Sequence, residues 1–273
     1  MYKSPRRLPW GPATEMRRTL WLLLALTVWL VGPASVGARA AGPEHQAFLP
    51  LVQAPAESLC APIAGQTYGT LPVYGPPTDR PAAMHPDLNL SLRGYVPTTA
   101  YLGLIDVAGE LDPLAPQLRG LFSDGRTPQF VSVFRVYDWD WVADQRAAPL
   151  DDPPVTLAGL RAAEGELLFV PDSGYQIGGG YEVLVLYASS ERITLKYTRD
   201  DNVVAGYTLQ LEGICVEPTL LALYEAWDAA GRGQLPALRA GQPLGRARAS
   251  EVRVAIRDTG RFLDPRSRKD WWH

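Results

Sequence analysis

The densest chemistry in this sequence lies at Tyr137-Asp138-Trp139-Asp140-Trp141. Successive side chains of a strand point to opposite faces. A strand here would therefore set Tyr137, Trp139 and Trp141 on one side and Asp138 and Asp140 on the other. An aromatic face beside acids suits sugar binding, and paired carboxylates can cleave glycosides when they flank the bond. Neighbours on one strand do not flank a bond, so an aromatic core face backed by a solvated acidic face accounts for the same pattern. Thr198-Arg199-Asp200-Asp201-Asn202 carries oxygen ligands of the kind calcium takes, and it also reads as a plain hairpin turn. Gly178-Gly179-Gly180 lacks the Lys-Ser/Thr and following helix of a phosphate loop. Ser173 and Ser250 have no G-x-S-x-G setting, and His85 alone could serve them. Histidines at 45, 85 and 273 and cysteines at 60 and 215 make no dense Cys/His metal cluster, so neither a metal nor a cofactor is expected.

These groups must be held by elements that the patterning also describes. Phe130–Val136, Glu166–Val170, Glu182–Tyr187, Ile193–Tyr197, Gly206–Leu211 and Val252–Ile256 are rich in β-formers or alternate with period two, as strands do. Leu88–Leu92 alternates likewise, and Tyr101–Ile105 is a further apolar run. Leu157–Glu164 reads as a short helix. Pro218 opens a helix over Thr219–Ala230, with Leu220, Leu221, Tyr224 and Trp227 as its apolar stripe and Gly231 as its stop. Trp271 and Trp272 are expected to pack, and Arg266, Arg268 and Lys269 to form a solvated tail. The fold class expected is mainly β.

The first forty residues combine Arg6, Arg7, Arg17 and Arg18, an apolar run from Leu20 to Val31, and Ala38-Arg39-Ala40. Charged start, short apolar middle and A-x-A exit make a cleavable export signal; the run is too short for a membrane span, which needs about 20 residues. Residues 41–58, with three prolines, read as a linker, followed by a β-rich region, 59–172, and a C-terminal domain, 173–273. Removing residues 1–40 takes Lys plus Arg from 26 to 20 and Asp plus Glu from 29 to 28, a net charge of −8. Such an acid balance argues against nucleic acid as a partner. In an oxidising compartment Cys60 and Cys215 would form a disulfide.

The C-terminal third also carries a resemblance. Gly241-Gln242-Pro243-Leu244-Gly245, then Glu251-Val252-Arg253-Val254-Ala255-Ile256-Arg257, a turn, Gly260 and Asp264-Pro265 follow the order of motifs that ends the lysostaphin-like (LytM-type) zinc endopeptidase domain. That family has G-Q-x-I-G, H-L-H-F-E-I-R and a final D-P. Gly206–Gly213 is similar to its strand ending in H-G, and Leu223-Tyr224-Glu225-Ala226 to its L-Y-x-H. The resemblance implies a β-sandwich or barrel-like domain, here with one inserted helix, and a groove at Glu251, Arg253, Ala226 and Glu212. It also implies lost chemistry. Glu251 and Arg253 replace the two histidines of H-x-H, Ala226 replaces a third, and residues 140–210 contain no histidine for H-x-x-x-D. Arginine has no lone pair to give zinc, and a catalytic zinc needs about three protein ligands. The expectation is an exported, non-catalytic cell-envelope protein binding peptidoglycan or a partner protein. The alternatives are a hydrolase working through carboxylates such as Asp138, Asp140 or Glu251, or a carbohydrate-binding module using Trp139 and Trp141.

Overall fold

A computed structural model describes residues 58–75 and 78–273. The export signal and nearly all of the 41–58 linker lie outside the described residues. The strands are β1 (Gly69–Pro72), β2 (Tyr95–Pro97), β3 (Phe130–Asp140), β4 (Gln145–Pro149), β5 (Leu157–Arg161), β6 (Leu167–Phe169) and β7 (Val183–Ser189). They continue with β8 (Arg192–Lys196), β9 (Thr208–Glu212), β10 (Ile214–Val216), β11 (Gln234–Leu238), β12 (Pro243–Ala247), β13 (Glu251–Asp258) and β14 (Arg261–Leu263). The α-helices are α1 (Leu90–Arg93), α2 (Pro218–Ala229) and α3 (Arg268–Trp271). The protein is mainly β, with α2 inserted in its C-terminal region.

The large sheet runs β1-β11-β7-β8-β9-β13-β5-β3-β2, with β14 on β13 and β4 on β3, and a small sheet runs β10-β12-β6. Every ladder within these two sheets is antiparallel. Strands from both sides of position 172 share the large sheet, β5 lying between β13 and β3. Ile193, Leu195, Leu209, Leu211, Val252, Val254 and Ile256 point to one face, where they bury a common core with Leu168, Ile214 and Leu244 of the small sheet.

Cys60 is disulfide-bonded to Cys215 of β10, with Cα atoms 5.4 Å apart. Next to it Glu217 begins α2. Its carboxylate accepts from Leu220 N–H at 2.7 Å and from Ile63 N–H at 3.3 Å. Pro218 at the first helical position costs no hydrogen bond there. Leu220 and Tyr224 are the buried residues of the helix.

Some elements differ from the sequence expectation. Leu88–Leu92 is no strand: the Asn89 side chain accepts from Ser91 N–H and caps α1, as Asn does where it competes with the backbone for hydrogen bonds. Leu157–Arg161 is strand, not helix. Gly159 sits there because a Cβ would lie 2.1 Å from Ser132 Oγ and 2.6 Å from Glu251 Oε1. Tyr101–Ile105 forms only an isolated bridge, Ile105 to Ser267. Trp271 and Trp272 are buried, their indole N–H groups donating to Asp264 O and Pro265 O at 2.8 Å. Arg266 is also buried rather than solvated, held by both Asp264 oxygens and donating to Tyr101 O.

Candidate functional site

Across β8, β9 and β13 the second face of the large sheet is mostly polar, while Val136, Leu157 and Ala255 pack in a small apolar cluster under Leu90 and Phe262. Side-chain alternation puts Arg192, Thr194 and Lys196 of β8 beside Glu212, Gln210 and Thr208 of β9, and those beside Arg253, Ala255 and Arg257 of β13. Residues in register share a face, so Arg253 stands beside Glu212, with Glu251 two positions before it on the same strand and face. Ala226 does not join them. It is exposed on α2, and that helix packs on β11 and β7.

The side chains of Glu251, Arg253 and Glu212 are each engaged by a neighbour. Arg253 Nε donates to Glu251 Oε1 at 2.7 Å, and one of its terminal nitrogens donates to Tyr95 OH at 2.9 Å. The Ser132 hydroxyl donates to the same Glu251 oxygen at 2.9 Å. Glu212 pairs with Arg192 at 3.3 Å. The Arg253 guanidinium also lies over the Phe134 and Tyr95 rings, 5.1 and 5.6 Å from their centroids. Burial opposes its charge, but Glu251 and Tyr95 outweigh that and raise its pKa further. Burial, and then Glu212, push the Tyr95 phenol up as well. Among the described residues no His, Cys, Asp and Glu side chains group as three or more potential metal ligands.

Further along β13 the same face is sealed by the stretch His85–Tyr95. Leu88 O accepts from the Thr194 hydroxyl at 2.6 Å, and Asp87 O from the Gln210 amide at 2.9 Å. The Asp87 carboxylate then joins two guanidiniums, Arg93 at 2.7 Å and Arg257 at 2.7 Å. All three residues are under a tenth exposed. Burial disfavours the Asp87 charge, yet Arg257 and Arg93 prevail and hold its pKa below the ordinary value. Arg93 also reaches Asp138 at 3.3 Å. Lys196, fully buried, donates to Gly206 O at 3.0 Å and Thr208 Oγ1 at 3.3 Å. Burial pulls its pKa from 10.5 down to about 8.

Arg93 and Arg257 open onto a cleft of about 740 Å³, bounded by Val107–Asp112, β14 and the stretch from Asp264 to Trp271. Phe262 lies against both guanidiniums, 5.7 Å from Arg93 and 4.4 Å from Arg257. Tyr207 and Trp271 form an aromatic wall, ring centroids 5.8 Å apart. Asp112 accepts from the Tyr175 and Tyr207 hydroxyls, both at 2.9 Å, and with Tyr207 it borders a second cavity of about 200 Å³.

The Tyr137–Trp141 stretch forms the arm of a hairpin. Tyr137 and Trp139 stay two apart on β3, Asp138 and Asp140 are exposed, and Trp141 lies past the strand's end in the turn. Trp141 is 47% exposed, with His85 edge-on at 5.7 Å and the Arg80 guanidinium at 5.7 Å. Trp139 Nε1 donates to Asp144 at 3.2 Å. The two acids serve the backbone: Asp138 accepts from Trp139 N–H, and Asp140 from Val142 and Ala143 N–H.

The turn at 198–202 is structural. Asp201 is buried and takes two hydrogen bonds from Arg232, at 2.7 and 2.6 Å. Arg232, at φ 59°, also donates to Leu186 O and pairs with Asp228. Sequence reasoning missed Asp87, Arg93, Arg257 and Arg232. The alternation Arg253-x-Ala255-x-Arg257 was a signal that one face is polar, but it reads as solvated without knowledge of the covering segment.

No protein-family model, no curated protein and no solved structure matches this chain.

Proposed function

We propose that this is an exported, non-catalytic cell-envelope protein that holds a peptidoglycan peptide or a partner protein in the cleft beside Arg257. The observation that carries this reading is the state of Arg253. It replaces a metal-ligating histidine in the resemblance, has no lone pair, and is tied to Glu251 at 2.7 Å and Tyr95 at 2.9 Å. Support for a binding role comes from the cleft itself, whose size falls in the range of small-ligand sites, roughly 300–1,000 Å³. Arg253 is engaged by Glu251 and Tyr95 and Glu212 by Arg192; the cleft on the same sheet face offers room. Export is supported by the charged, apolar and small-residue parts of the first forty residues and by a disulfide, which persists in oxidising compartments.

The test is co-sedimentation of the chain from Ala41 with purified peptidoglycan sacculi. The expected result is retention in the pellet with the sacculi left intact. Protein left wholly in the supernatant, or release of soluble wall fragments, would overturn it.

A second reading, glycan binding through the β3–β4 hairpin, is favoured by the exposure of Trp141 beside Arg80 and His85. Unchanged affinity for wall glycan in Trp139→Ala and Trp141→Ala variants would eliminate it. Hydrolysis through Asp138 and Asp140 has less support, because both carboxylates already accept turn and strand N–H groups.

A further inference from the structure

The charges around the cleft do not balance where they are buried. Asp87 is the one buried carboxylate between two buried guanidiniums, Arg93 and Arg257. Asp138, the other carboxylate in reach, is solvent-exposed and pairs with Arg93 rather than Arg257. Behind them Lys196 is buried against a carbonyl and a hydroxyl. Arg257 donates to Gly260 O through Nε and one terminal nitrogen and to Asp87 through the other. Those bonds engage three of the five N–H groups a guanidinium carries. A buried positive charge without full compensation is costly, and a guanidinium prefers a planar, two-oxygen partner. Of the acids that line the cleft, Asp112 has two phenols, Asp264 has Arg266 and Asp270 has Lys269, while Glu110 and Asp152 lie at its border. Arg261 stands exposed at the rim.

We infer that the cleft is a carboxylate-recognition site. A free carboxylate of a short peptide meets the Arg257 and Arg93 guanidiniums at the floor, Arg261 assists at the rim, and the Phe262, Tyr207 and Trp271 rings receive the neighbouring apolar part of the ligand. This rests on the proposed function only for the identity of the ligand, a wall stem peptide; the carboxylate chemistry stands on the cleft alone. Charge-assisted hydrogen bonds to a buried guanidinium contribute enough to move affinity about ten-fold or more.

Isothermal titration of the chain from Ala41 with a synthetic stem tetrapeptide, L-Ala-γ-D-Glu-L-Lys-D-Ala, tests this beside the same peptide with every carboxyl converted to carboxamide. The expected result is that amidation weakens binding at least about ten-fold. Arg261→Glu, an exposed change that leaves the buried cluster intact, should weaken the acidic peptide several-fold and leave the amidated one unchanged. Equal affinity for the two peptides, no binding of either, or indifference to Arg261→Glu would overturn the inference. Its fate is separable from that of the wall-binding reading. Sacculi that pellet the protein while the peptide carboxylates make no difference would remove this inference and leave wall binding standing. Tight, carboxylate-dependent peptide binding with no retention on sacculi would do the reverse.

Discussion

Arg253 stands opposite Glu212 in the β9–β13 ladder, yet its Nε donates to Glu251 on its own strand, 2.7 Å away, while Glu212 pairs with Arg192. Of the four positions that the LytM-like resemblance assigns to a groove, Glu251 and Arg253 thus bond to each other, Glu212 is engaged by Arg192, and Ala226 lies elsewhere on α2. The Glu251–Arg253 pair is part-exposed, and surface ion pairs contribute about 1 kcal/mol or less. Arg253→Ala should therefore shift the urea midpoint slightly and leave retention on sacculi unchanged. Loss of retention in a folded Arg253→Ala protein would return the binding site to this cluster.

Asp87 should matter far more than Asp138, although each touches Arg93. Asp87→Asn leaves two buried guanidiniums without their shared carboxylate, and breaking a buried pair costs about 3–5 kcal/mol. Asp138 is 57% exposed, so Asp138→Asn should cost less than about 1 kcal/mol. Urea unfolding of the two variants side by side gives the comparison. Equal losses would mean that Asp87 does not hold the cover down.

Period-two patterning found β8, β9 and β13, where apolar and polar residues alternate, and β-former content found β3 and β7. The period failed where a side chain decides the backbone locally. Leu88-Asn89-Leu90-Ser91-Leu92 alternates like a strand, but Asn89 caps a helical turn and both Leu88 and Leu90 are buried. The period is also blind in β5, where Leu157, Ala158, Gly159 and Leu160 are all buried. Both faces of that strand are covered, so its sequence does not alternate. The cleft was illegible for a related reason. Its floor joins Arg93 to Arg257 across 164 positions through one aspartate, and no spacing rule links them.

Reduction should weaken the fold measurably. The Cys60–Cys215 bond closes a loop with a sequence separation of 155 residues, and losing such a link typically costs about 2–5 kcal/mol. A Cys60→Ser/Cys215→Ser protein should unfold at correspondingly lower urea. Its stability should not respond to reductant, whereas the native protein's should. Identical midpoints for native protein with and without reductant would mean that the link adds nothing.

Lys196 predicts an unusual rise of stability in mild alkali. Its folded pKa lies at about 8, below the ordinary 10.5, because burial disfavours the ammonium. Below pH 8 the amine is protonated in both states, and the cost of burying its charge is constant. Between about 8 and 10.5 the folded amine is neutral while the unfolded one still binds a proton. The unfolded state then holds more protons, so stability increases with pH. The shift corresponds to about 3 kcal/mol if fully expressed, at 1.36 kcal/mol per unit. The tyrosines act with the opposite sign and later. Burial raises the phenols of Tyr68, Tyr207 and Tyr224, so unfolded phenols ionise near pH 10 before the folded ones, and stability falls above that point. Urea unfolding from pH 7 to 11 should therefore show a maximum near pH 10. Lys196→Met should abolish the rise from pH 8 while keeping the fall above 10. A wild-type profile that is flat from 8 to 10 would mean that the buried amine keeps its charge, which only a closer anionic neighbour than Asp200 or Asp258 could allow.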